Sequence, residues 1–325
     1  MMDVYFYEAF EEEAAELKRY LPAGVNAQFD ARTVQEAGHA DDASPPAPLI
    51  STRTQSRLPI AWADRLAGIL TRSTGYDHLL AYAQQTGGRV PMGYLPLYCH
   101  RACAEQAMML TLGLLRKLPR QVGQFQTFAR DGLTGREALN KTMLIVGVGH
   151  IGHEVHRLAG AFGMHTLGVD IDPRHEEVKY VTLDDGLARA DVIVCAMNLT
   201  DDNRGYFDEA AWAKARRGAI FVNVSRGELS PSTALLTALG SGQLGGVGLD
   251  VYDHEAELAV TLRSGRSQSD DEQAAAALAL SQRDDVICTP HNAFNTHESV
   301  VRKSEHSMQQ VDAFVRTGRF LWPVP

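Results

Sequence analysis

An arginine, a glutamate and a histidine each follow a different apolar run in the second half of the chain. They are Arg226, Glu255 and His291. A guanidinium offers two parallel donors to a carboxylate and its neighbouring carbonyl oxygen, which suits a 2-oxo acid. An imidazole titrates near neutral pH and can give a proton to a developing alkoxide or take one from an alcohol. If Glu255 lies within hydrogen-bonding reach of His291, its carboxylate would favour the charged imidazole.

A glycine-rich turn precedes these residues in the chain. It reads Gly147-x-Gly149-x-x-Gly152 and stands between an apolar run and a helical stretch. The first glycine permits a tight turn, the second lets backbone N–H groups approach a pyrophosphate, and the third allows close packing of helix on strand. A second β-branched run then ends at Asp170, which is placed to accept both ribose hydroxyls of an adenosine. Because a carboxylate there repels a 2′-phosphate, the pattern favours NAD over NADP.

Three histidines of the helix after this turn could suggest a metal site. In the set His150, His153 and His156, each histidine lies three residues after the one before it, and this i, i+3 spacing places neighbouring members on one helix face. The first two turns of that helix are assigned to the cofactor. The sequence therefore predicts no metal site.

The elements that must position these residues alternate between strands and helices, which predicts parallel sheets covered on both faces. In the first part we expect strands at 4–7, 25–29, 49–52, 69–72 and 89–92, with helices at 11–20, 61–66 and 78–85. After a long apolar helix at 102–118 we expect strands at 142–148, 166–169, 192–196, 219–224, 246–251 and 286–289, with helices at 151–162, 209–215 and 232–239. Loops that leave the carboxyl ends of such strands are where open α/β sheets bind ligands.

The last helix, at 297–316, is amphipathic and has no strand after it, so we expect it to return to the first domain. The fold class is therefore α/β, with two doubly wound parallel-sheet domains. Residues 1–101 and 297–325 form a discontinuous substrate domain, and residues 102–296 form a Rossmann domain that binds the dinucleotide. The polar, alanine-rich segment 264–277 is expected to be an exposed insertion.

Composition excludes several classes of function. The chain has 325 residues and a net charge of −9, without the clustered Lys and Arg that nucleic-acid binding requires. The N-terminal segment lacks the pattern of a signal peptide, and no run of 18 apolar residues occurs, so we expect no membrane association. The four cysteines show no CxxC pair, which favours reduced thiols and a cytoplasmic location.

Six motifs, in order along nearly the whole chain, together resemble the NAD-dependent D-isomer-specific 2-hydroxyacid dehydrogenases. They are Thr71-Arg-Ser-Thr-Gly75-Tyr-Asp77, Pro96-Leu-Tyr98 with Ala104-Glu105, the glycine turn, Asn223-Val-Ser-Arg226-Gly227, Leu249-Asp250-Val-Tyr and Thr289-Pro-His291. The segment around Glu255 and the long stretch before His291 look like the D-lactate dehydrogenase branch of that family.

The resemblance implies a role for each matching residue. Arg226 would bind the substrate carboxylate and carbonyl, His291 would be the acid and base, and Glu255 its partner. Backbone amides near Ser73, Thr74 and Gly75 would bind the substrate carboxylate, and Tyr98 would line the substrate pocket. Backbone groups of His150 and Ile151 would bind the pyrophosphate, and Asp250 would contact the nicotinamide carboxamide. The resemblance also implies a homodimer and a small 2-oxo or 2-hydroxy acid as substrate.

Two alternatives remain open at this point. Cys99-His100-Arg101 stands where the family usually has Ser-Pro-Asn, so a hydroxypyruvate or glyoxylate reductase of the same family is a second candidate. A different class is a non-catalytic protein that senses NAD, in the manner of the C-terminal-binding-protein corepressors, which resemble these dehydrogenases.

Overall fold

The structure is a computed structural model and describes residues 3–325. These residues divide into two compact units, one made of residues 3–99 with Asn295–Pro325, the other of His100–Phe294. The sequence predicted boundaries after residues 101 and 296, and each lies two residues beyond the boundary in the structure, which falls after Cys99 and after Phe294. Within residues 3–325, none of the helices has both the length and the apolar character needed to cross a membrane.

The first unit is built on a sheet of five parallel strands in the order β2-β1-β3-β4-β5. Its elements are β1 (Val4–Phe6), α1 (Glu11–Arg19), β2 (Ala27–Phe29), β3 (Leu49–Thr52), β4 (Gly68–Thr71), α2 (Asp77–Thr86) and β5 (Met92–Gly93). Every residue of β1, β3 and β4 is buried, as expected for parallel strands that are covered on both faces.

The second unit contains a sheet of six parallel strands in the order β11-β10-β9-β8-β6-β7. Its helices are α3 (His100–Leu115), α4 (Leu118–Gln124), α5 (His150–Ala161), α6 (Leu183–Arg189), α7 (Glu209–Lys214), α8 (Ser232–Gly240), α9 (Glu255–Arg263) and α10 (Glu272–Ser281). Its strands are β6 (Thr142–Val146), β7 (His165–Val169), β8 (Val192–Cys195), β9 (Ala219–Asn223), β10 (Leu244–Leu249) and β11 (Val286–Cys288). The chain order reverses at β6, because β7 lies on one side of it and β8 on the other. Doubly wound sheets bind ligands at such a switch point.

The long helix α11 (His297–Thr317) completes the first unit. It begins at Thr296, whose side chain accepts a hydrogen bond from Ser299 N, and it ends at Gly318 in the left-handed region. Its Phe314 ring packs against Gly68 so closely that a Cβ there would lie 2.4 Å from the ring. The first sheet is therefore covered by a helix that enters the chain only after the second unit.

A fully buried ionic cluster joins α11 to the rest of the first unit. Glu13 Oε1, on α1, lies 2.8 Å from Arg72 Nε and 2.7 Å from Lys303 Nζ, on α11. Arg72 also donates to the hydroxyl of Ser51 and the carbonyl of Tyr7. One carboxylate thus compensates two buried cations across a helix, a strand end and a second helix.

Two of the expected elements are wrong. Residues 61–66 do not form an α-helix, because only a 3₁₀ turn at Ile60–Trp62 fits before Ala67 N bonds Pro48 O at the entry to β4. The segment 264–277 is not simply an exposed insertion. Its second half belongs to α10, where Ala274 and Ala277 are buried in the core because alanine is small enough for close packing beside α8.

Candidate active site

The glycine turn connects β6 to α5 at the switch point of the second sheet. Gly147 has φ = 91°, and a Cβ there would lie 2.5 Å from the backbone of Met197. A Cβ at Gly152 would lie 2.0 Å from the carbonyl oxygen of Gly147, so helix and turn meet only because this residue is glycine. A Cβ at Gly149, by contrast, would meet no atom within 4 Å. The space at the N-terminus of α5 is open, and no side chain caps that end of the helix.

This arrangement fits the pyrophosphate of a dinucleotide. The N-terminus of an α-helix presents backbone N–H groups and the positive end of the helix dipole. His150 and Ile151 provide the first N–H groups of α5, immediately after the open position at Gly149. The residues present therefore fit the phosphates of NAD.

Asp170 follows β7 and is fixed beside the same turn. Its Oδ2 accepts a hydrogen bond of 2.6 Å from Val148 N, and its Oδ1 accepts one of 2.9 Å from Asp172 N. An ionised carboxylate has about four acceptor positions, so each oxygen can accept another hydrogen bond from a hydroxyl. The geometry suits a ribose diol next to the pyrophosphate.

His291 and Glu255 form a hydrogen-bonded pair within the second unit. His291 Nδ1 lies 2.8 Å from Glu255 Oε1 and 3.0 Å from Oε2, and both side chains are partly buried. A carboxylate at Nδ1 favours the tautomer or ion that carries a proton on this nitrogen. The other nitrogen, Nε2, is then the atom that can exchange a proton with a substrate.

Asp250 holds the loop that carries His291. The carboxylate, fully buried, accepts hydrogen bonds from Thr289 Oγ1 at 2.5 Å and from the backbone N of Asn292 and of Ala293, both at 2.8 Å. Burial raises the pKa of Asp250, and these hydrogen bonds oppose that rise. His291 itself has φ = 50°, an uncommon conformation for a residue other than glycine. The carboxylate thus stabilises a strained loop. The family resemblance had implied only a contact between Asp250 and the nicotinamide carboxamide.

The loop after β9 presents Arg226. The buried side chain of Asn223 donates to the carbonyl of Arg226 and to Ser230 Oγ, and it accepts a hydrogen bond from Ser225 N. A Cβ at Gly227 would lie 1.8 Å from the carbonyl carbon of Tyr252, so the loops after β9 and β10 touch only because position 227 is glycine. Arg226 Nη1 donates to Ser225 O at 2.9 Å. The guanidinium is therefore carried by a loop fixed from both sides.

Three adjacent strands thus carry the residues singled out for acid–base and carboxylate chemistry. Arg226 follows β9, Asp250 and Glu255 follow β10, and His291 follows β11, in a sheet whose edge order is β11-β10-β9. The spacing of these residues in the sequence is large, and the parallel sheet brings their loops to one edge.

The substrate-binding residues expected in the first unit lie around the loop after β4. Ser73 Oγ bonds Thr71 Oγ1 at 2.6 Å and Gly75 O at 2.7 Å, and Thr74 Oγ1 donates to Leu95 O. The ring of Tyr98 is buried, and its carbonyl accepts hydrogen bonds from Ser299 and Arg302 of α11. Ser73, Thr74 and Gly75 occupy the loop at the carboxyl end of β4, whereas Tyr98 lies between β5 and α3.

The chain matches a family model and curated relatives over most of its length. The model described as "D-isomer specific 2-hydroxyacid dehydrogenase, NAD binding domain" matches residues 108–293. The chain belongs to this family. A 2-hydroxyacid dehydrogenase A of Aspergillus oryzae is 33% identical over 79% of this chain and 74% of its own length. A D-lactate dehydrogenase of Escherichia coli is 32% identical over 75% of this chain and 74% of its own length.

A solved structure supports the same assignment. The D-lactate dehydrogenase from Aquifex aeolicus, complexed with NAD and lactic acid, has a TM-score of 0.83 and 27% identity, and covers 98% of this chain and 99% of that one. The two-domain α/β fold expected from the sequence is confirmed, as is the resemblance to the D-2-hydroxyacid dehydrogenases near their D-lactate branch. This dehydrogenase is an oxidoreductase that uses NAD to interconvert 2-oxo and 2-hydroxy acids.

Sequence reasoning missed several residues that shape the site of this dehydrogenase. Asn223, Gly227 and Tyr252 belonged to the sequence motifs, but no role was expected for any of them. The Tyr252 hydroxyl donates to Thr289 O at 2.8 Å. A polar side chain inside an otherwise apolar run, as at Asn223, is the signal that could have identified such a loop-fixing residue.

Proposed function

We propose that the protein reduces a small 2-oxo acid to the D-2-hydroxy acid with NADH, with pyruvate as its reference substrate. The observation that carries the proposal is the bond of 2.8 Å between His291 Nδ1 and Glu255, one strand away from the loop of Arg226. NADH, when bound, supplies the hydride. Thus the chain itself has to orient the acid and deliver the proton.

Each residue has one task in this proposal. Arg226 binds the carboxylate and the carbonyl oxygen of the substrate through the two arms of its guanidinium. His291 gives the proton on Nε2 to the developing alkoxide, while Glu255 stabilises the imidazolium. The loop at Ser73, Thr74 and Gly75 offers backbone N–H groups to the carboxylate, and Tyr98 lines the substrate pocket. Asp170 holds the ribose, and Gly147, Gly149 and Gly152 make room for the phosphates.

The test is NADH oxidation with a panel of 2-oxo acids that differ in side chain: glyoxylate, pyruvate, hydroxypyruvate, 2-oxoisocaproate and phenylpyruvate. Arg226→Lys should raise KM and lower kcat for the best substrate, because a point charge cannot reproduce both bonds of the fork. The matched control is Arg217→Lys. Arg217 is an exposed arginine of the same unit, and its guanidinium donates to Ser241 O. If Arg226→Lys retained the wild-type kcat/KM, the carboxylate anchor would have to lie elsewhere.

The same panel distinguishes the other candidates. If kcat/KM is highest with glyoxylate or hydroxypyruvate, the protein is a glyoxylate or hydroxypyruvate reductase of the same family, and the lactate-type proposal is wrong. NADH binding without turnover of any acid would favour a protein that senses NAD.

We further propose a cytoplasmic homodimer. The segment between α3 and β6 exposes large apolar side chains, among them Val122, Phe125 at 71% and Phe128 at 72% exposure. Exposed apolar clusters mark association surfaces, and a two-fold contact would cover the same patch on both copies. The cytoplasmic assignment is supported by four cysteines that are all thiols in the structure, as a reducing compartment would keep them.

A further inference from the structure

Two histidines and a glutamate meet beside the first turn of α5. His153, on α5, is joined there by His175 and Glu177 from the loop after β7, and their ligand atoms all lie within 4.8 Å of one another. His153 Nε2 is 2.5 Å from Glu177 Oε1, and the rings of His153 and His175 stack with centroids 4.0 Å apart. Neither the cofactor nor the acid–base chemistry proposed above uses these side chains.

The chemistry of this donor set is that of a transition-metal site. Two imidazoles and one carboxylate suit zinc and its neighbours, whereas magnesium and calcium prefer oxygen ligands throughout. The Glu177 carboxylate is exposed, so it is ionised at neutral pH and able to bind a cation. Three protein ligands leave a fourth tetrahedral position for water.

The site also joins two parts of the chain that the proposed cofactor pocket needs. The loop that carries His175 and Glu177 begins at Asp170, whose carboxylate bonds the glycine turn at Val148 N. His153 lies on the helix that begins at this turn. An ion held by all three ligands would fasten the loop to the helix.

We propose that His153, His175 and Glu177 form a binding site for a divalent transition-metal ion, with zinc as the reference ion, which fastens the loop after β7 to α5. Zinc bonds to histidine nitrogen and carboxylate oxygen are about 2.0–2.2 Å long. Binding therefore draws the three ligand atoms together and turns the two rings out of their parallel stack.

His156 is the nearest further histidine, and it has a different partner. Its Nδ1 lies 2.8 Å from Thr166 Oγ1, and its ring centroid is 6.0 Å from that of His153. The sequence placed His153 and His156 on one helix face but could not show the loop that supplies His175 and Glu177. We therefore assign His156 to the support of α5 on β7, outside the ligand set.

The experiment is a calorimetric titration of the full chain with zinc, repeated with cobalt to record its visible absorption. The wild type should bind one ion tightly, with the absorption of tetrahedral cobalt. His175→Ala should lower the affinity at least about tenfold, because removing even an outer partner of a metal ligand typically costs about 10- to 100-fold. His165→Ala, at an exposed histidine of the same unit, is the matched control and should bind like the wild type.

Hydrogen exchange tests the fastening separately. Zinc should slow exchange of the backbone amides at 171–178 in the wild type and in His165→Ala, and should not slow it in His175→Ala. His175 is only partly buried and Glu177 is exposed, so His175→Ala and Glu177→Gln should fold, which circular dichroism checks. Equal zinc affinity in wild type and both variants, or no change in exchange at 171–178 on zinc binding, would overturn the proposal.

Discussion

At the scale of single residues, the site depends on carboxylates whose partners differ. Glu255 faces one imidazole, and Asp250 faces three donors of a loop. Asp170 faces two backbone N–H groups, that of Val148 in the glycine turn and that of Asp172 in its own loop. The same functional group thus pairs with an imidazole in one place and holds a loop in another, and in the proposed function a third accepts the ribose hydroxyls, because the neighbours of each differ.

Replacing Asp170 by Ala should weaken NADH binding by about 1–3 kcal/mol, the range for hydrogen bonds to a charged group. NADPH binding should weaken less, since its 2′-phosphate gains from removal of the negative charge. Fluorescence titration of both cofactors measures the change in preference. Asp172→Ala, in the same loop, is the control, and an unchanged preference in Asp170→Ala would exclude the ribose role.

Replacing Glu255 by Gln removes the charge that stabilises the protonated imidazole of His291. The kcat/KM for reduction should therefore fall, because the protonated imidazole is the proton donor, while NADH binding stays as in the wild type. Steady-state rates and fluorescence titration with NADH check this, with Glu257→Gln on the same helix as control. A Glu255→Gln variant that keeps the wild-type kcat/KM would argue against the pairing.

At the scale of elements, the buried ionic cluster of Glu13 on α1, Arg72 at the end of β4 and Lys303 on α11 stabilises its charges to different degrees. Burial pushes the pKa of Glu13 upward, but Arg72 and then Lys303 pull it below its usual value. Burial lowers the pKa of Lys303 and outweighs the attraction of Glu13. The carboxylate is therefore well stabilised, and the ammonium is not.

Glu13→Gln should lower the free energy of unfolding by about 3–5 kcal/mol, because it removes the buried carboxylate that contacts both Arg72 and Lys303. Lys303→Met should be at least as stable as the wild type at neutral pH, because Glu13 keeps Arg72 and the cost of burying the ammonium is removed. Urea denaturation of the three proteins measures the difference. If both variants lowered the free energy of unfolding by similar amounts, the conclusion that Glu13 is well stabilised and Lys303 is not would be contradicted.

The depressed pKa of Glu13 also fixes the sign of a pH effect. The contribution of this carboxylate is present above its unfolded pKa and is lost as the pH falls through its lower folded value. Acid titration of the wild type should therefore show a loss of stability that is smaller in Glu13→Gln.

Elements with strong local signals were predictable, and contacts between distant segments were not. The strand Leu49–Thr52 has the expected bounds, and α5 begins one residue before its expected start because the glycine turn marks its beginning. The helix α10 was missed because alanine-rich polar sequence shows no clear face. Asn223 fixes a loop through residues at most seven positions away, and its polar side chain inside an apolar run is a local signal. Nothing local to Asp250 indicates that it closes a loop 39 to 43 residues further along the chain. The pairing of Glu255 with His291 was a prediction from family resemblance, and the structure places the two within 2.8 Å.

At the scale of the whole molecule, the exposed apolar segment after α3 predicts association of two copies. Phe125→Ser with Phe128→Ser should shift the protein toward monomer, because the apolar area that association would bury is reduced. Light scattering coupled to size-exclusion chromatography measures the mass. The control is Ile171→Ser, since Ile171 is an exposed apolar residue of the same unit outside this segment. A wild type that is monomeric at all concentrations tested would contradict the homodimer.

The interrupted course of the first unit affects the order in which the two units can fold. The second unit, His100–Phe294, is complete in a chain that ends before Asn295–Pro325. In such a chain Gly68 lacks the Phe314 ring that covers it, and Glu13 lacks Lys303. We expect a chain truncated after residue 294 to resist protease in its later part while its earlier part is cleaved. The unit that contains the NAD-binding domain would thus fold without the segment that the first unit requires.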